Sequence, residues 1–158
     1  MSIKQYSRLE LAENQLETAI GLLVSGEDKF SVITLAGAAD VILCRLVTNT
    51  GQENFTEYSL KMTSSEQKPN STKETHGREI NDTLFINDLK HMDKDEDGYI
   101  TLNVFDCALA AIAKALANYV KLVGRDKYIV QAFMAWGRLN LDPKKYNIYS
   151  DPNWKPTT

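Results

Sequence analysis

Apolar side chains recur three and four positions apart along most of this chain, and no stretch alternates apolar and polar residues over the length of a strand. The pattern therefore predicts helices. Its densest stretch is residues 30–47, FSVITLAGAADVILCRLV, broken only by Ser31, Thr34, Asp40 and Arg45. A helix apolar nearly all round is expected to be buried nearly all round, which places it at the centre with other helices against it. Ala36, Gly37, Ala38 and Ala39 would let a neighbouring backbone come close. Gly37 costs about 1 kcal/mol of helix propensity relative to alanine, and a packing contact would justify it. At about 100° per residue, Asp40 shares a face with Ile33, Ala36, Leu43, Cys44 and Val47. A carboxylate there needs a partner, because an unpaired buried charge is costly.

The other helices follow from the same periodicity. Leu9, Ala12, Leu16, Ala19, Ile20 and Leu23 predict a first helix over residues 4–24, with Gly26 as its stop and Asp28 as the cap of the next. The short connection makes these two an antiparallel hairpin. Phe55, Tyr58 and Met62 suit one side of a short helix. Residues 63–77 are polar, contain Pro69, and read as a mobile surface loop. A third long helix is expected over residues 78–91, with Ile80, Leu84, Phe85 and Leu89 apolar. The longest regular helix should span residues 104–123, capped by Thr101 or Asn103 and ended by Gly124. A last helix over residues 126–136 carries Ile129, Phe133 and Trp136.

The chain's 158 residues suit one domain that buries about two-thirds of its unfolded surface. The expected fold is all-α, a single-domain bundle of four to six helices over residues 1–137. In the tail, residues 138–158, Pro143, Pro152 and Pro156 forbid a long helix, while Tyr146, Ile148, Tyr149 and Trp154 are apolar enough to lie on the bundle or on a partner. Lys144, Lys145, Tyr146, Tyr149 and Trp154 also mix cations with aromatics as single-strand binders do. A formal charge of −3 argues against broad electrostatic binding to nucleic acid. Cys44 and Cys107 fall in apolar helical patterns and read as reduced core residues. The first residues lack the apolar run of a signal peptide, and Asp40 and Arg45 argue against a membrane span, so the expected location is cytoplasmic.

Two stretches carry candidate chemistry. Asp93-Lys94-Asp95-Glu96-Asp97-Gly98-Tyr99-Ile100-Thr101 resembles the first nine positions of an EF-hand calcium loop. Asp93, Asp95 and Asp97 would supply carboxylates, Gly98 the turn and Tyr99 its carbonyl, between two flanking helices. The twelfth position, where that family has a chelating glutamate, is Val104, so the resemblance implies at most weak calcium binding. The bland alternative is a solvated acidic turn. His76 and His91 lie too far apart in sequence to make a zinc site without further ligands.

The second stretch is Ile86-Asn87-Asp88-Leu89-Lys90-His91. It resembles a degenerate signature of the HEPN (higher eukaryotes and prokaryotes nucleotide-binding) helical family, in which an arginine precedes a polar residue and then a histidine. Asn87 and His91 match that spacing, and Ile86 stands at the arginine position. FSVITLAGAADVILCRL and ANYVKLVGR extend a similarity of pattern to small helical bacterial proteins over most of residues 1–137. The resemblance implies a helical bundle, commonly a homodimer, whose catalytic members cut RNA without metal using Arg and His at the dimer cleft. In such a site His91 would move protons and Asn87 would hold a phosphate or orient water. Arg78, two turns up the same predicted helix, or Lys90 would have to replace the arginine. The alternative makes Asn87 and His91 a hydrogen-bonded pair near a helix end that satisfies Asp40. With arginine missing, the expected function is a non-catalytic interaction module, associated with RNA, a nucleotide or a partner protein, and without cofactor. A metal-independent ribonuclease and a weak calcium binder are the competing readings.

Overall fold

The computed structural model describes residues 1–64 and 72–146, and these form seven helices with no strand among them. In chain order they are α1 (Arg8–Val24), α2 (Lys29–Asn49), α3 (Phe55–Ser64), α4 (Lys73–Thr83), α5 (Val104–Val123), α6 (Tyr128–Asn140) and α7 (Pro143–Tyr146). The chain divides into two compact units, Met1–Val123 and Gly124–Thr158.

In the first unit, α1 starts later than its apolar spacing predicts, because Ser7 and Glu10 close a capping box. The Glu10 N–H donates to Ser7 Oγ at 3.0 Å, and the Ser7 N–H donates to Glu10 Oε2 at 2.7 Å. These hydrogen bonds hold the Glu10 carboxyl below its usual range. Gly26, at φ +72°, turns the chain, and Asp28 caps α2 by accepting from the Phe30 N–H at 3.0 Å. The expected hairpin of α1 and α2 forms, and α5 packs along both helices. Leu16, Ile33, Leu43, Ile112 and Tyr119 are fully or almost fully buried in this unit. Tyr119 also reaches Glu13 with its hydroxyl at 2.5 Å, and burial, then that carboxylate, push its phenol above the ordinary tyrosine range.

All-round burial of α2 does not hold. Its Ala36, Ala39 and Leu43 side is covered, whereas Phe30 is 50% and Val41 59% exposed. α1 and α5 cover only part of the circumference and leave an outward strip that includes Arg45 and Asn49. By length and apolar content alone α2 would be able to cross a bilayer. Here its inward side is filled by helices.

The segment after α3 departs furthest from expectation. Thr72 caps α4 by accepting from the Thr75 N–H at 3.2 Å, so residues 73–77 are helical rather than loop. Residues 65–71 of the expected loop lie outside the described residues. α4 then stops at Thr83 instead of running to residue 91. The Phe85 N–H donates to the Asp82 carbonyl and the Ile86 N–H to the Asn81 carbonyl, with Phe85 at φ +58°. This is a Schellman end with phenylalanine in the position glycine usually takes. Residues 84–90 continue as turns. Ile86 is thereby brought over α2, where a Cβ at Gly37 would lie 2.7 Å from its Cγ2. The expected close contact at Gly37 is therefore with a side chain rather than a backbone.

α5 has the predicted bounds, and of its two candidate caps Asn103 is used, accepting from the Asp106 N–H at 3.0 Å. In the second unit, Phe133 stacks on Trp136 with ring centroids 5.9 Å apart. Leu141 packs its Cδ1 against the place where Gly137 lacks a side chain. Pro143 acts as expected, since α6 ends at Asn140 and only the short α7 follows among the described residues, whereas Pro152 and Pro156 lie outside them. Tyr149 and Trp154 of the tail lie outside the described residues.

Candidate functional site

Asp40 on α2 faces Lys114 and Asn118 on α5. The spacing of four puts both α5 residues on one side of that helix, beside the carboxylate. Asp40 Oδ2 accepts from Lys114 Nζ, and Oδ1 accepts from Asn118 Nδ2 at 2.8 Å. All three side chains are buried. A buried charge is tolerated when it is paired and hydrogen-bonded, and here each carboxylate oxygen accepts a hydrogen bond, one of them from the opposite charge.

The network continues outward through Asn118. Its Oδ1 accepts from the Phe55 N–H at 2.9 Å, meeting one of the donors that the start of α3 leaves open. Asn54 and Glu57 meet others reciprocally, with the Glu57 N–H on Asn54 Oδ1 at 2.9 Å and the Asn54 N–H on Glu57 Oε2 at 3.0 Å. Asn54 Nδ2 donates to Thr48 Oγ1 at 2.9 Å, tying this cap to α2. Lys73 of α4 donates to Glu57 Oε1 at 2.7 Å and holds that carboxyl below its usual range. Four helices thus meet through one chain of polar contacts.

Above the Asp40–Lys114 pair lies a cleft of about 640 Å³ between α2, α4 and α5, with Arg8 of α1 at its edge. Lys114 Nζ also approaches Asn81 Oδ1 of α4 at 3.4 Å. Cys44 lines the cleft, and burial, then the Asp40 carboxylate, push its thiol above the ordinary range. It is a neutral wall residue, since nucleophilic cysteines need the thiolate. His76, to which the sequence assigned nothing, is buried between α3 and α4 with its Nε2 3.1 Å from Ser59 Oγ.

Asn87 and His91 do not partner Asp40. Both oxygens of that carboxylate are taken by Lys114 and Asn118, while His91 is exposed. Asn87 instead donates from Nδ2 to Asp82 Oδ1 at 2.8 Å, and its carbonyl accepts the His91 N–H at 3.0 Å. Arg78 and Lys90 are also exposed. Arg78 no longer shares a continuous helix with His91, because α4 ends between them. Ile86 is only 2% exposed. The position that holds arginine in the resembled signature is here a core position.

The acidic loop makes the turn expected of Gly98, at φ +83°. Asp93, Asp95, Asp97 and Tyr99 are exposed. Asp97 Oδ1 accepts from the Tyr99 N–H at 3.0 Å, and Glu96 Oε2 from the Asp93 N–H at 3.2 Å. The helix expected to enter the loop is absent, since α4 ends at Thr83, whereas α5 does follow it. Among the described residues, no three His, Cys, Asp or Glu side chains group as metal ligands would.

Lys114, Asn118, Asn54 and Asn81 went unnoticed in the sequence. The signal for two of them was present, because Lys114 and Asn118 are polar residues four apart on a helix otherwise rich in Ala, Leu and Ile. They are the natural complement to the polar residue on α2. No family model matches the chain, and neither a curated protein nor a solved structure shows significant similarity to it.

Proposed function

We propose that this chain is a non-catalytic, HEPN-like helical module that works by binding, as a homodimer, with the cleft above Asp40 and Lys114 as its ligand site. The observation that carries the reading is the burial of Ile86 against Gly37. A guanidinium at position 86 would enter an apolar contact instead of a solvent-facing cleft, so this position does not supply the cationic partner of a nuclease histidine. The described hydrogen bonds of His91 supply neither an orienting carboxylate nor a phosphate clamp. The cleft, by contrast, joins an apolar wall to a few converging polar groups, as ligand sites do.

The test is incubation of the purified protein with single-stranded RNA in the presence of a metal chelator. The RNA is expected to stay intact. Cleavage that disappears in His91→Ala overturns the reading and makes the ribonuclease alternative correct.

A further inference from the structure

The ligand that the cleft is built for can be inferred from its charges and its unused donors. Among its lining residues are four cations, Arg8, Arg45, Lys73 and Lys114, and two carboxylates, Asp40 and Glu74. Lys114 is matched by Asp40, and Lys73 by Glu57. Arg8 and Arg45 have no ion pair or side-chain hydrogen bond among the described residues, and against them stands only the Glu74 carboxylate, which leaves a small cationic excess on a chain whose formal charge is −3. Lys114, in the same lining, is 5% exposed, and its ammonium carries three N–H groups. Asp40 takes one, and Asn81 Oδ1 takes another at 3.4 Å. The third N–H and the Asn81 amide NH₂ donate to no described group. Lys114 is buried and Asn81 half-buried, so both can turn a remaining donor to an oxyanion entering the cleft. Val41, Ile42 and Leu46 give the α2 side of the wall an apolar stretch, next to the polar Thr48, Asn49 and Thr56.

We infer that the cleft binds a small organic anion, with an apolar body against α2 and an anionic oxygen head met by Lys114, Asn81, Arg8 and Arg45. The inference rests on reading the chain as a binding module and adds the class of ligand. Arginine pairs well with phosphate and carboxylate alike, so the head is either of these. A bound head also bridges α4 to α5 through Asn81 and Lys114, and so holds α4 down on the core.

The experiment is titration calorimetry of the full chain with phenyl phosphate and with benzoate, alongside phenol and inorganic phosphate. Phenyl phosphate or benzoate is expected to bind, and whichever binds tighter identifies the head. Phenol and inorganic phosphate should each bind at least about tenfold more weakly, as loss of a charged hydrogen bond or of the apolar contact requires. Arg8→Gln and Arg45→Gln, both at exposed positions that leave the core intact, should each weaken the better ligand by about tenfold. Amide chemical shifts should move at Asn81 and Lys114 and stay fixed across residues 93–98. No binding by either organic anion, binding as tight in both arginine variants, or phenol binding equally well would overturn the ligand class. The RNA assay reports on the non-catalytic reading separately, so the two failures are distinguishable.

Discussion

The C-terminal ends of α1 and α4 are closed by the same pair of hydrogen bonds with different residues at the turn. At α1 the Gly26 and Glu27 N–H groups donate to Leu23 and Leu22, with Gly26 at φ +72°. At α4 the Phe85 and Ile86 N–H groups donate to Asp82 and Asn81, with Phe85 at φ +58°. Glycine takes this conformation freely, whereas a residue with a Cβ gives up about 1–2 kcal/mol. Past Gly26 the chain meets an exposed Glu27, which anchors nothing. Past Phe85 it meets Ile86, which is buried over Gly37. The end of α1 is held by its own turn chemistry. The end of α4 is held by a distant contact that outweighs a poor turn residue.

That difference predicts a ranked set of effects, each read by chemical denaturation. Ile86→Ala should be the largest, destabilising by about 2–4 kcal/mol, as expected for emptying a buried isoleucine site. It should also speed amide exchange in α4 more than in α2 or α5, because α4 loses its anchor. Equal acceleration in all three helices would show that Ile86 is not a local fastener.

Gly37→Ala comes next, at about 1–2 kcal/mol net, because the new methyl would meet Ile86 Cγ2 at 2.7 Å, a clash that outweighs the helix propensity alanine restores. Combined with Ile86→Ala it should cost much less than the sum, since the shortened side chain no longer clashes. Additive effects would separate the two residues.

Gly26→Ala should destabilise by about 1 kcal/mol, the cost of forcing a Cβ into the left-handed region where nothing compensates. The smallest change is expected for Phe85→Gly, within about 1 kcal/mol of neutral. Relief of the backbone is offset there by a more flexible unfolded chain and the loss of a half-buried ring. A large loss at Phe85 would mean that the ring itself, and not the anchor behind it, closes α4.

The two helix ends also explain why reading the chain succeeded in one place and failed in the other. Gly26 announces a stop at the correct position. Phe85, lying among Ile80, Leu84 and Leu89 at helical spacing, announces continuation. Running the helix on to His91 put Asn87 and His91 on one rigid face and led to the expected pairing with Asp40. The need of Asp40 for a partner was legible, because a carboxylate on an apolar helix face must be satisfied. Its partners were not, since Lys114 lies 74 residues away and Asn118 lies 78.

Local physics, written in the sequence, determined the helical class, the hairpin of α1 and α2, the Asp28 cap, the bounds of α5 and the turn at Gly98. Each depends on residues within a few positions of one another: an apolar period, a side chain that reaches an open N–H, a glycine that accepts positive φ. Tertiary structure alone decided which sides of α2 are covered, where α4 ends, and which groups meet over the Asp40–Lys114 pair. Those outcomes are settled by burial and charge neutralisation between segments far apart in the chain. A local turn preference of a kcal/mol or so yields when a buried isoleucine offers about 2 kcal/mol or more in return.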